Sequence, residues 1–176
     1  MDFDLPYYRR RWSRTPPAIC IEEAARLFTP IAASHCQRDS ECFLHMVARI
    51  RPMKVVYIWE PESAGFAEEL AKRYDIRTYL MQEGEDKLAT LRRAAQTEGA
   101  NAILHGIRDD QTAHRSTKAV VELGTDGIYR VHPILYWKQG DVDAYMRRHG
   151  LAFLTVAEDG PRTECGIHCF QVADDD

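Results

Sequence analysis

The chain has 176 residues, 45% of them apolar and 28% charged, which is one domain's length with enough apolar side chains for a core of its own. Its 23 Lys and Arg stand against 27 Asp and Glu, a formal net charge of −4, and that balance argues against a surface given over to nucleic acid or acidic lipid. The longest apolar runs are short, as at VVYIW (55–59), far below the roughly 20 residues of a bilayer span; membrane association is not expected.

In chain order, residues 1–18 (Arg9, Arg10, Arg11 and Arg14 among Tyr7, Tyr8 and Trp12, then Pro16 and Pro17) read as a basic and aromatic arm. It lies over the domain, on a partner or in solvent. The opening MDFDLPYYRRRW has no apolar stretch of an export signal, so a cytoplasmic, reducing compartment is expected. The five cysteines, an odd number, then read as reactive or ligating rather than as structural staples.

Residues 21–28 (IEEAARLF) have helical spacing with acids in the first turn. Residues 30–33 form a short strand, and the polar turn 34–39 leads into a helix over 40–47. KVVYIW (54–59) is a continuous β-branched run, the signature of a strand covered on both faces. A helix over 63–74, a strand over 76–81, a helix over 87–96 and the strand NAILH (101–105) follow. A last strand is expected over 127–135 and a last helix over 140–149, stopped by Gly150.

Strands alternating with helices predict a single α/β domain over 19–155, followed by a cysteine-bearing tail over 156–176. The sheet is expected to be mostly parallel and twisted, with helices on both faces. Ligands of such sheets bind at the carboxyl ends of the strands, near the reversal of strand order.

Three segments carry candidate chemistry. The turn from Ser34 through Arg38 and Asp39 to Ser40 feeds a helix N-terminus, where backbone N–H groups and the dipole attract phosphate; Asp39 or Ser40 also reads simply as the helix cap. In HGIRDDQTAHR (105–115), Arg108 and Arg115 can converge on one polyanion, each offering a planar fork, with Gly106 and Gln111 beside them. An ordinary charge-paired surface loop is the alternative.

In the tail, Arg162 and His168 flank Cys165 and Cys169. Positive charge near a thiol favours the thiolate and makes it a better nucleophile. A zinc site there has three ligands at most and lacks the C-x₂-C spacing. His105, His114 and His132 sit at strand ends, open to a ligand contact or to a structural role, and Trp59, Tyr136 and Trp137 read either as core or as stacking surfaces.

Together these segments resemble the phosphoadenylyl-sulfate (PAPS) reductase family. HGIRDDQTAHR is similar to the family's G-[IL]-R-x-[DE]-[QS]-x-x-R loop. VHPILYWKQGDVDAYMRRHGL (131–151) is similar to its stretch carrying W-x-x-x-D-V-x-x-Y-[IM]-x-x-x-x-[IL], and TECGIH (163–168) to the E-C-G-[IL]-H ending of its cluster-free members.

The resemblance implies an adenine-nucleotide α-hydrolase-like fold and a thioredoxin- or glutaredoxin-dependent reduction of an adenylyl sulfate to sulfite. It assigns Cys165 as nucleophile, with Cys169 as a second thiol and His168 beside them. It gives substrate contacts to Ser34, Arg38, Asp39, Ser40, Gly106, Arg108, Gln111, Arg115, Trp137 and Arg162. The loop after Ser34 departs from the family's S-x-G-x-D-S by losing its glycine, which otherwise lets backbone approach phosphate closely. No adjacent Cys-Cys pair lies mid-chain, so no iron–sulfur cluster and no firmly bound cofactor is expected.

Two other functions share the fold: an ATP-dependent sulfur transferase or nucleic-acid sulfur-modification protein, and a non-catalytic nucleotide-binding protein. The arginines of the arm give nucleic acid mild support that the acidic balance does not favour. PAPS or ATP as the small-molecule nucleotide, and a homodimer, are left open.

Overall fold

A computed structural model describes residues 3–35, 40–50, 54–59, 64–74 and 76–151. The chain begins with two short helices. Asp4 accepts a hydrogen bond from the Tyr7 amide at 2.9 Å and starts α1 (Leu5–Trp12). Pro17 opens α2 (Pro17–Leu27) at its first turn, where the missing N–H costs nothing. The remainder alternates: β1 (Pro30–His35), α3 (Ser40–Ile50), β2 (Lys54–Trp59), α4 (Ala64–Tyr74), β3 (Arg77–Leu80), α5 (Lys87–Glu98), β4 (Ala102–His105), β5 (Val121–Leu123), β6 (Tyr129–Val131) and α6 (Gln139–His149).

The sheet runs β3-β2-β1-β4-β6-β5, parallel throughout except for β5, which is antiparallel to β6. Strand order reverses between β1 and β4, which pair in register from Pro30–Ala102 to Ala33–His105. Their carboxyl ends, at His35 and His105, flank the crevice where ligands bind in this topology.

Side-chain alternation divides the core in two. Ala32, Tyr57 and Leu104 pack with Trp12, Ile21 and Leu44 from the helices of one face. Ile31, Ile58 and Ile103 pack under Leu91, Ala94 and Ala95 of α5 on the other. Two buried layers of this kind explain why β2 and β4 read as unbroken apolar runs. Asp86 caps α5 by accepting the Ala89 amide at 2.6 Å, and Gly99 ends that helix at φ 65°.

The α/β class and the expected strands over 54–59 and 101–105 agree with this architecture. One expectation is corrected, one strand is added and one open alternative is decided. Residues 127–135 do not form one strand: β6 ends at Val131 because Pro133 cannot donate to a ladder, and the chain turns through Leu135→His132 and Trp137→Ile134 hydrogen bonds of 3.1 and 3.0 Å. The antiparallel β5 is an added edge strand, joined to β6 by the turn at Gly127, φ 75°. Within the arm, residues 5–12 are helical and hold Trp12 at 2% exposure, so of the placements left open this part lies over the domain and not in solvent.

Candidate functional site

The loop after β4 starts from a glycine with no room for a side chain. A Cβ on Gly106 meets Phe43 Cβ and Cγ at 2.8 Å, so the loop lies directly on α3. Two residues on, Arg108 is 3% exposed, and Arg115, on the 3₁₀ turn Arg115–Thr117, is also 3% exposed.

The side chain of Gln111 joins them. Its Oε1 accepts the Arg108 backbone N–H at 2.9 Å and also a hydrogen bond from Arg115 Nη1. Thr112 Oγ1 accepts the Arg115 amide at 3.1 Å, which fixes the second arginine's turn. Gln111 thereby ties the backbone of Arg108 to the guanidinium of Arg115, seven residues on.

Arg108 is locked from a second side. Its Nε donates to Asp110 Oδ1 at 3.1 Å and its Nη2 to Gln139 Oε1 at 2.6 Å. Gln139 is the first residue of α6, and its amide donates to Asp110 Oδ2 at 3.2 Å. Lys138 Nζ donates to Asp109 Oδ1 at 2.6 Å, and the Asp109 amide to the Leu135 carbonyl at 2.8 Å. The charge pairing with Asp109 raises the Lys138 ammonium above its ordinary pKa. The loop and the start of α6 therefore form one hydrogen-bonded unit. Gln139, Asp110 and Thr112 belong to it without any signal in the sequence, because their partners are set by the fold and not by local spacing.

Beneath Arg115, the side chains at the ends of β4 and β6 are polar and buried. The His105 and His132 rings lie 5.5 Å apart between centroids. Burial first, then the charges of Lys118, Arg130 and Arg115, push the His132 pKa down to about 3, so its imidazole is neutral.

Of the other sequence candidates, Ser34 lies on β1 opposite Tyr57, and Ser40 is the first residue of α3. Trp137 is half-buried and packs its ring 5.8 Å from that of Tyr145 on α6. Tyr136 is exposed. Arg38, Asp39, Arg162, Cys165, His168 and Cys169 lie outside the described residues. Among the described residues no group of three His, Cys, Asp or Glu is placed to hold a metal ion. The thiols of Cys20 and Cys42 are buried, and burial raises the Cys20 pKa, keeping it protonated and inert. No helix among the described residues is long and apolar enough to cross a membrane.

Known proteins share the fold and part of the sequence. The chain is similar to the phosphoadenosine 5'-phosphosulfate reductase of Synechococcus sp., 36% identical over 110 residues, which cover 61% of this chain and 42% of that protein. It is also similar to the phosphoadenosine 5'-phosphosulfate reductase of Alkalilimnicola ehrlichii, 26% identical over 161 residues, covering 74% and 65%. The chain thus spans less than two thirds of the length of either relative. The crystal structure of PAPS reductase from Candida auris, in a phosphate complex, superposes with a TM-score of 0.72 at 16% identity over 87% of this chain and 90% of that one, a likeness of fold. Residues 83–171 match the family model of the phosphoadenosine phosphosulfate reductase domain. The arginine-bearing loop and the α6 segment it is bonded to both lie inside that match, and the chain belongs to the phosphoadenosine phosphosulfate reductase domain family.

Proposed function

We propose that the chain reduces an adenylyl sulfate, PAPS, to sulfite through a cysteine S-sulfo intermediate. The observation that supports this most is the Gln111 bridge between Arg108 and Arg115 at the carboxyl edge of the sheet, in a chain of this family.

A sulfuryl group attached to a nucleotide carries several negative charges. Its transfer to a thiolate, itself an anion, needs them neutralised before the two can meet. The arginines supply fixed charge, held in place by Gln111 and Gln139, with the Asp110 carboxylate on Arg108 Nε. In this reading Ser34, Arg38, Asp39 and Ser40, the last of which opens α3, contact a phosphate taken by the backbone N–H groups of that helix's first turn. Gly106 lets the loop sit close to that helix, and Trp137 and Arg162 flank the nucleotide.

In the reaction, the Cys165 thiolate attacks sulfur, the sulfur–oxygen bond breaks, and the nucleotide PAP leaves with the electron pair. A dithiol donor of the thioredoxin or glutaredoxin class then attacks the S-sulfocysteine. Sulfite departs and the donor is oxidised to its disulfide. In this reading Cys169 and His168, which follow Cys165 in the sequence, assist that thiol, the tail 156–176 carries it, and the domain over 19–155, preceded by the arm 1–18, binds the nucleotide. No resident metal or cofactor enters the scheme, and its thiols suit a reducing, cytoplasmic compartment.

Purified protein supplied with PAPS and reduced thioredoxin should release sulfite, C165S should release none, and R115A should lose nucleotide affinity by tenfold or more, on the order of a charge-assisted hydrogen-bond pair. Undiminished sulfite from C165S removes that thiol from the mechanism. Binding of ATP but not of PAPS or PAP turns the reading toward a sulfur transferase.

A further inference from the structure

His132 is a polar side chain that the proposed reaction leaves unused. It directly follows β6 and is 2% exposed, yet neither Nδ1 nor Nε2 has a hydrogen-bond partner. The nearest carboxylate, Glu122 Oε2, stands 4.0 Å from Nε2, too far for a hydrogen bond. Burying an imidazole in this way costs stability that an apolar side chain of similar size does not cost.

The neighbourhood suggests what compensates. Three cations act on the ring: Lys118 and Arg115 from the loop, and Arg130 from β6. Lys118 lies 3.7 Å from Glu122, and Arg130 lies 2.6 Å from Asp126. His105, at the end of β4, faces the ring at 5.5 Å with the two planes tilted by 39°. The residue before Arg115 is His114, whose Nε2 is likewise buried without a partner. Just after β6, next to the reversal of strand order, His132 thus holds two buried ring nitrogens without a hydrogen-bond partner, with Lys118, Arg130 and Arg115 acting on the ring.

We propose that His132 is a specificity-determining contact of the nucleotide site: its ring N–H donates to a phosphate oxygen of the same nucleotide that Arg115 holds by charge. The proposal rests on the reading given under Proposed function. A neutral imidazole supplies one directed donor without a further charge, so it discriminates by geometry where the arginine discriminates by charge. An oxyanion in that position uses both at once, and its arrival offsets the cost of the buried ring.

The test is calorimetric titration of PAP into wild-type protein, R115A, H132L and H132N, with thermal unfolding of each. H132L should keep or raise the unfolding midpoint, because it removes a buried unpaired group, while binding PAP about tenfold more weakly or worse. H132N, which keeps an N–H, should recover part of that affinity. Unchanged PAP affinity in H132L while R115A loses it overturns the role of His132 alone. Equal affinity in wild type and R115A overturns the proposed site itself. If H132L fails to fold, the wild-type ring decides: its nitrogen resonances should shift on adding PAP, and unmoved resonances at saturation sink the proposal.

Discussion

A methyl group on Gly106 has nowhere to go. Phe43, 3% exposed on α3, already has two side-chain atoms within 2.8 Å of where a Cβ would sit. Both those atoms are near the helix backbone, so neither can swing aside as a flexible side-chain end could. The glycine therefore sets the distance between the arginine-bearing loop and α3. Gly106→Ala should cost about 1–3 kcal/mol by overpacking. It should also weaken nucleotide binding, because the strain is relieved by moving Arg108 away from α3. Urea unfolding and PAP titration on the same variant measure both effects. An unchanged urea midpoint contradicts the close contact.

At the scale of elements, α1 shows how a segment with little local signal becomes fixed. Phe3 stacks on Tyr8 with centroids 4.7 Å apart and meets Tyr129 of β6 edge-on at 4.9 Å. Trp12 Nε1 donates to Glu23 Oε2 at 2.8 Å, and Arg11 binds the same carboxylate. The hydrogen bonds from Arg11 and Trp12 hold Glu23 below its ordinary pKa against the opposing effect of burial. Arg9 Nε donates to the Val121 carbonyl of β5 at 3.0 Å and so occupies a backbone acceptor on an edge strand. Trp12→Ala should destabilise the protein by about 3–5 kcal/mol, and Trp12→Phe by less, since it keeps most of the buried ring. Chemical denaturation of the two variants checks the order, and two variants as stable as wild type contradict docking of the helix.

The same comparison explains what the sequence alone could carry. β2 and β4 are legible because both faces are buried and apolar runs record it; α5 and α6 are legible from their periodicity and from Gly99 and Gly150 at their ends. β5 spans three residues and owes its place to β6 and Arg9, and α1 owes its place to Phe3, which meets Tyr8, Trp12, Phe28 and Tyr129 of β6, and to Glu23 of α2. In the site, Arg108, Gln111 and Arg115 are readable from their spacing, whereas Gln139 and the unpaired ring of His132 are products of the tertiary fold.

For the molecule as a whole, acid acts through two windows. His132 is held neutral down to about 3, by burial and then by Lys118, Arg130 and Arg115; Glu122 on β5 stands 4.0 Å from Nε2 and pairs with Lys118, and His105 faces the ring from β4. In the unfolded chain the same ring titrates near 6.5. Its folded pKa is the lower one, so the unfolded chain takes up the proton first. Stability is full above that value and drains away as pH falls toward 3. Between pH 7 and pH 5 this single ring should cost about 2 kcal/mol. His45 pulls in the same direction: its burial, then the nearby His149 and Arg49, lower its pKa, and only Glu41 opposes them. The carboxylates act later. Arg93 holds Glu85 at about 2, and in Glu98 the bonds from Tyr79, Lys54 and Arg77 overcome a burial that by itself raises the pKa. Their contribution persists above about 4.5 and is lost only below it. Urea unfolding at pH 7 and pH 5 separates the windows, because the carboxylates are still ionised at the lower value. Wild type should lose stability over that interval, and H132L should lose about 2 kcal/mol less, the remaining slope belonging to His45. Equal losses in the two proteins mean that His132 carries its proton in the folded state, and a charged ring among three cations is incompatible with the buried, neutral imidazole on which the acid response depends.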